Sequence, residues 1–262
     1  MDEVDVAGRR VAYRRAGRGD PLVLLHGVLG DSRDWQVQLD GLADSFDVVA
    51  WDAPGCGSSD DPPEDLGADG YVAALVGLLD ALGLARPHVL GLSWGSALAL
   101  ELCRVAPARV RSLVLASAYA GWKGSLRPDE VARRREQCLR ESHLPAEEFV
   151  PEWVPSLFGA HPSPEVVDAT VATMSSFHPV GYRAMVLAFA DLDLRPVLPT
   201  IGVPTLLVAG ALDQRSPVDV ARAMHAQIPG SQLVVLAGAG HLSNVEVPDA
   251  FDAAVRAFLA DG

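Results

Sequence analysis

Ser93 stands between two glycines in Gly91-Leu92-Ser93-Trp94-Gly95, after the apolar run Pro87-His88-Val89-Leu90 and before Ser96-Ala97-Leu98-Ala99-Leu100-Glu101-Leu102-Cys103. The first run predicts a buried strand, and the second, rich in helix formers, predicts a helix. A serine on so tight a turn is held in a strained backbone, and only glycine leaves room on either side. Its hydroxyl is then presented at the carboxyl edge of a sheet, a setting for nucleophilic attack on an acyl carbon. A hydroxyl is a poor nucleophile at neutral pH unless a base takes its proton as it attacks. Histidine does this best, and a carboxylate must hold the imidazole in the right tautomer. A chain with 24 glycines produces G-x-S-x-G by chance now and then, so the base and the acid decide its weight.

Two late loops supply them. Asp213 lies in Gly210-Ala211-Leu212-Asp213, directly beyond the apolar run that ends at Ala209, and His241 lies in Gly238-Ala239-Gly240-His241, beyond Leu233-Val234-Val235-Leu236. Serine, acid and histidine in that order, each after a strand, is the chain order of one known triad arrangement. Asp191 and Asp193 precede the strand, whereas Asp219 and Asp249 sit within or at helices. Of the other six histidines, His26 and His88 precede the serine, His143, His161 and His178 fall in a helical stretch, and His225 lies inside a helix. These six read as surface or packing residues. The developing oxyanion needs two preorganised N–H donors. The expected pair is the backbone of Trp94, at the positive end of the helix that begins there, and the backbone of Val28, just after His26-Gly27. His26 itself is expected to bond loop backbone.

The elements that must position these groups alternate along the chain. Val11-Ala12-Tyr13 belongs to an edge hairpin, and Pro21 to Leu25 and Phe46 to Trp51 read as strands. Helices are predicted at about Arg33–Ala43 and Tyr71–Leu82. Val110 to Ala116 and Val203 to Gly210 are further strands, a helix follows at about Val218–Gln227, and a closing helix runs from Pro248 to Leu259 with an apolar stripe of Phe251, Ala254, Val255 and Phe258. Strands alternating with helices at this spacing predict an α/β fold with a mostly parallel central sheet covered by helices on both faces. Between the sixth and seventh strands the rhythm lapses into proline-bounded helical segments. The expected division is a core of residues 1–122 and 196–262 with a helical cap insertion at 123–195. Trp122, Trp153, Phe158, Phe177 and Tyr182 are the candidates for its pocket wall, with Met174 beside them. Arg133-Arg134-Arg135 could attract an acidic substrate, but a solvated helix face is the preferred reading.

Composition narrows the partners. The 262 residues carry a formal charge of −13 and 49% hydrophobic residues, enough to bury roughly three-quarters of the unfolded surface in one core. So acidic a chain offers no basic face for nucleic acid or an anionic membrane. Cys56, Cys103 and Cys138 are odd in number and widely spaced, which implies neither a disulfide framework nor a metal site. No cofactor is expected. The acidic start and the absence of a long apolar run predict a cytoplasmic protein acting on a small molecule.

Taken together, His26-Gly27, Asp52-Ala53-Pro54-Gly55-Cys56-Gly57-Ser58-Ser59, Gly91-Leu92-Ser93-Trp94-Gly95, Gly210-Ala211-Leu212-Asp213 and Gly240-His241 resemble the motifs of the α/β-hydrolase fold superfamily, in its order. Gly181-Tyr182, Asp193-Leu194-Arg195, Ile201-Gly202-Val203-Pro204-Thr205-Leu206 and His241-Leu242-Ser243-Asn244-Val245-Glu246 are most similar to the 3-oxoadipate enol-lactonase-like serine hydrolases. The resemblance implies hydrolysis of a small ester or lactone through an acyl-enzyme. Carbon–carbon bond hydrolysis and cofactor-free peroxidase or perhydrolase chemistry use the same triad and stay open, as does a non-catalytic ligand-binding protein on this fold. A serine nucleophile argues against haloalkane dehalogenase and epoxide hydrolase chemistry, which uses aspartate there. One departure stands out. Relatives carry Met or Gln after the nucleophile and close the elbow with two glycines, whereas this chain has Trp94 and then Gly95-Ser96. The indole is expected beside the acyl group, narrowing the pocket; the rival reading is that it points into the core and supports the elbow.

Overall fold

In the computed structural model, which describes residues 1–260, the apolar runs line up as one eight-stranded sheet. The first half of the chain gives β1 (Asp2–Val6), β2 (Arg9–Gly17), β3 (Asp20–Leu25), α1 (Gln36–Gly41), β4 (Phe46–Trp51), α2 (Gly67–Ala81), β5 (His88–Leu92), α3 (Trp94–Val105) and β6 (Ser112–Ala116). Five helices follow without a strand: α4 (Trp122–Ser125), α5 (Pro128–Glu141), α6 (Ala146–Leu157), α7 (Pro164–Ser175) and α8 (Pro179–Asp191). The chain then closes with β7 (Thr205–Gly210), α9 (Val218–His225), β8 (Gln232–Leu236), α10 (Ser243–Glu246) and α11 (Pro248–Ala260). No helix among the described residues is long and apolar enough to cross a membrane.

The strand order is β1-β2-β4-β3-β5-β6-β7-β8. β1 and β2 form the expected antiparallel hairpin, β2 runs against β4, and the pairings from β4 through β8 are parallel. Successive residues of a strand face opposite sides, and here both sides are apolar. Val23, Val49, Val89, Leu113 and Leu207 enter one core cluster. Leu22, Leu24, Val48, Leu90, Val114 and Leu206 enter the other. α2, α3 and α9 cover the first face, together with the five consecutive helices. α11 covers the second through Phe251, Val255, Phe258 and Leu259, joined by Trp35 and Leu39. Ala254 lies off that stripe and is only half-buried.

The helix expected over Arg33–Ala43 is broken into a 3₁₀ turn at Ser32–Trp35 and α1. Asp31 caps the turn by accepting from the Arg33 N–H, and that tighter winding swings Trp35 into the core, where it is fully buried. Chain order reverses around β3, which pairs with β4 on one side and β5 on the other. A crevice opens outside the carboxyl ends of such strands, where ligands of open α/β sheets bind.

Candidate active site

Ser93 leaves β5 at φ +54° and ψ −112°, a conformation that costs a side-chain-bearing residue on the order of 1–3 kcal/mol. A Cβ on Gly91 would fall inside contact of the Gly95 carbonyl, and one on Gly95 inside contact of the Leu25 carbonyl. Neither place can take a side chain. The Ser93 N–H donates to the Ala116 carbonyl at 2.9 Å, and the Ser93 carbonyl accepts from the Ser96 N–H at 3.0 Å. Ser96, the departure from two closing glycines, also donates its hydroxyl to the Ser93 carbonyl at 2.5 Å. Ser96 Oγ in turn accepts from the Tyr119 N–H at 3.2 Å, so the elbow is stitched to the loop after β6.

Asp213 follows β7 and is buried. One of its oxygens, Oδ1, accepts from the N–H groups of Arg215 and Ser216 at 2.8 and 2.9 Å. Burial by itself pushes this carboxyl up, but the charge and hydrogen bond of His241 and the two N–H donors outweigh it and hold it below its ordinary value. The Nδ1 of His241 lies 2.9 Å from Oδ2 and 3.1 Å from Oδ1. An ionised carboxylate only accepts, so Nδ1 carries the hydrogen and Nε2 keeps its lone pair. The loop that brings His241 back over the sheet is fixed on two sides. Its carbonyl accepts from Ser117 Oγ at 2.7 Å, and its N–H donates to Leu157, the last residue of α6, at 2.8 Å.

Ser93 and His241 face one cavity of about 40 Å³, whose wall also includes Gly27, Val28 and Leu29. A Cβ on Gly27 would sit 3.5 Å from the Cβ of Ser93, so the loop after β3 runs directly beside the nucleophile. Neither the Val28 nor the Trp94 N–H donates to a protein acceptor among the described residues. His26 stays out of the chemistry. Its ring nitrogens meet the Gly27 carbonyl at 2.8 Å and the Ala53 N–H at 3.0 Å. The first must be donor and the second acceptor, which is a neutral ring, and burial pushes its pKa down accordingly.

Of the expected wall residues, Trp122, Trp153 and Met174 line the cavity. Phe158, Phe177 and Tyr182 do not. Phe158 follows α6 where the chain packs on Gly240, and Phe177 and Tyr182 cluster with Phe149, Tyr182 donating its hydroxyl to the buried Glu141 at 2.9 Å. The Trp94 indole also lies elsewhere. It packs edge-on between Tyr71 and Phe189, each 5.3 Å away, and Phe189 occupies the cavity wall in front of it. α3 is buried on every side, so even its first residue faces helices.

Sequence reasoning missed Tyr119, Arg215, Asp34 and Phe189, which line the cavity together with Arg134. Arg134 was masked by its neighbours in a basic run, and only its place on the helix distinguishes it. Asp34 is pushed well above its ordinary value by burial and then by Asp31. It also lines, with Thr170 and Leu242, an adjoining apolar groove of about 200 Å³ beside α7.

Comparison with known proteins agrees with this architecture. The sequence signature of the alpha/beta hydrolase family matches residues 22–254. The chain is 30% identical over 258 residues to 3-oxoadipate enol-lactonase 2 of Acinetobacter baylyi, covering 97% of this chain and 94% of that protein. It is 31% identical over 288 residues to a proline iminopeptidase of Lactobacillus helveticus, covering 96% and 95%. A malate-bound thermophilic esterase from Thermogutta terrifontis superposes with a TM-score of 0.92 at 29% identity, over 100% of this chain and 99% of that one. With the family signature running from β3 into α11 and the same sheet found in an esterase, the chain belongs to the alpha/beta hydrolase family and is a hydrolase.

Proposed function

We propose that the protein cleaves a small carboxylic ester or lactone through an acyl-enzyme, with Ser93 as nucleophile, His241 as base and Asp213 as the group that orients it. The observation that carries this reading is the His241–Asp213 pair, closed at 2.9 Å, on the same cavity as a serine held at positive φ. Asp213 keeps the hydrogen on Nδ1, so Nε2 is free to take the Ser93 proton as the hydroxyl attacks the acyl carbon. The negative charge that forms on the carbonyl oxygen falls to the backbone N–H groups of Val28 and Trp94, which hold no protein acceptor and need no rearrangement. The imidazolium next to Asp213 then protonates the leaving oxygen. Water repeats the cycle on the acyl-enzyme and releases the acid. Residues 123–195 act as a cap that supplies Trp122 and Trp153 to the wall and keeps bulk water off the reaction.

The names of the relatives favour acyl substrates, since an enol-lactonase, an iminopeptidase and an esterase all split a carbonyl–heteroatom bond. Ser93→Ala tests the assignment. The variant should stay folded by its melting curve, lose labelling by a fluorophosphonate probe, and lose turnover of 4-nitrophenyl acetate by about four to six orders of magnitude. Wild-type turnover by a folded Ser93→Ala protein sinks the mechanism.

A further inference from the structure

Two guanidinium groups face the cavity beside the triad, and one has no acidic partner. Arg215 lies 3.8 Å over the ring of Trp153 and donates from Nη1 to Ser156 Oγ at 3.1 Å. Among the described residues no carboxylate stands within 4 Å of its nitrogens. Behind the indole, the carboxylate of Glu141 is occupied by Trp153 Nε1, Tyr182 and Gln137 at 3.1, 2.9 and 2.7 Å. Arg134 reaches in from α5 and donates to Tyr119 Oη at 3.1 Å and to the Arg215 carbonyl at 3.2 Å. Its acidic partner, Glu130, is shared with Arg133. Asp213 is committed to His241, and burial favours the uncharged form of Asp34 on the opposite wall.

An unpaired guanidinium taken out of water is costly, and arginine keeps its charge at any working pH. Its planar fork matches a carboxylate, and charge-assisted bonds of that kind are the strong ones. The whole chain carries −13, so a positive end inside the cavity is a local construction rather than a by-product of composition. The Arg215 backbone N–H meanwhile holds Asp213 at 2.8 Å, which fixes the side chain's root relative to the triad.

We infer that Arg215, with Arg134 beside it, forms a carboxylate-binding end of the catalytic cavity, so that the preferred substrates are esters or lactones that themselves carry a carboxylate. This rests on the ester or lactone reading above. The anion is held by Arg215 while the scissile carbonyl meets Ser93, and neutral analogues lose that anchor.

The test compares kcat/KM for mono-4-nitrophenyl succinate and glutarate with that for 4-nitrophenyl butyrate and valerate. A second pair, acetyl esters of hydroxy acids and of the matching alcohols, places the carboxylate on the leaving group instead. The wild-type enzyme should prefer the anionic member of at least one pair by about ten- to hundredfold. Arg215→Gln should collapse that ratio toward one, and Arg215→Lys should retain part of it. Glutarate should inhibit neutral-ester turnover competitively, whereas glutaramide should not. Neutral esters cleaved with no anionic preference in either pair overturn the inference while leaving the hydrolase reading intact. An equal loss on both members in Arg215→Gln means that the arginine only supports the loop, which also overturns it. Should Arg215→Gln fail to fold, the wild-type ratios and the glutarate inhibition decide alone. If no ester is turned over, the acyl-enzyme reading fails instead, and calorimetric binding of glutarate by the wild-type protein still decides whether the cavity takes a carboxylate.

Discussion

At Asp213 three donors converge on one carboxylate: the imidazole of His241 and the N–H groups of Arg215 and Ser216. An amide cannot replace it, because one of its two ends must present hydrogens to a donor. Asp213→Asn should therefore keep the fold but favour the wrong imidazole tautomer, lowering kcat by up to about 10⁴-fold, as measured with an activated ester alongside a melting curve. Near-normal turnover would mean that another carboxylate holds the ring. Ser93, Asp213 and His241, which the structure brings together, could be picked from the sequence because each sits in a glycine-rich turn directly after an apolar strand. The cationic wall could not. In Arg133-Arg134-Arg135 consecutive side chains point about 100° apart around α5, and they end 61%, 13% and 43% exposed. Only the packing of α5 against α8 and α4 decides which of the three turns inward.

At the scale of elements, the strands were legible because both faces of each are apolar, and runs such as Leu22–Leu25 admit no other placement in a sheet. Trp94 was misjudged for the opposite reason. Sequence neighbourhood puts it beside Ser93, but the burial of α3 turns its side chain into the layer between α2 and α8. Trp94→Ala should thus act as a core deletion, costing about 3–5 kcal/mol and lowering activity on short and long acyl esters alike. A denaturation curve and an acyl-length series check this together. A shift in acyl preference at unchanged stability would restore the indole to the pocket. The helices between β6 and β7 are tied down at particular points as well. A Cβ on Gly181 of α8 would strike the backbone of Gly55 in the loop after β4, and Glu246 accepts from Gly159 at the end of α6 at 2.8 Å and from Gly240 at 3.0 Å.

For the whole molecule, acid is a weak point. His88 is buried at the β5–β6 seam with Nδ1 2.7 Å from Ser112 Oγ, and its Nε2 has no partner among the described residues. Burial, and secondarily Arg111, push its pKa from 6.5 down to about 4, with Asp20 opposing. Between those values the unfolded chain binds the extra proton, so stability rises with pH across that window. His26 shifts in the same direction. Urea unfolding at pH 5 and pH 7.5 should show lower stability at the acid value in the wild type and a smaller difference in His88→Gln. An unchanged pH dependence would place the acid sensitivity elsewhere.

The bond from the His241 N–H to Leu157 has a consequence for traffic. A lid that swung away at α6 would carry off the acceptor of His241 and the Gly159 contact to Glu246, and would disarm the base each time it opened. The groove beside α7 shares Asp34, Thr170 and Leu242 with the cavity of Ser93 and His241, and its wall includes neither His241 nor Leu157. Passage by this route leaves the imidazole in place between turnovers. A route through that groove would separate entry and exit from the upkeep of the His241 loop.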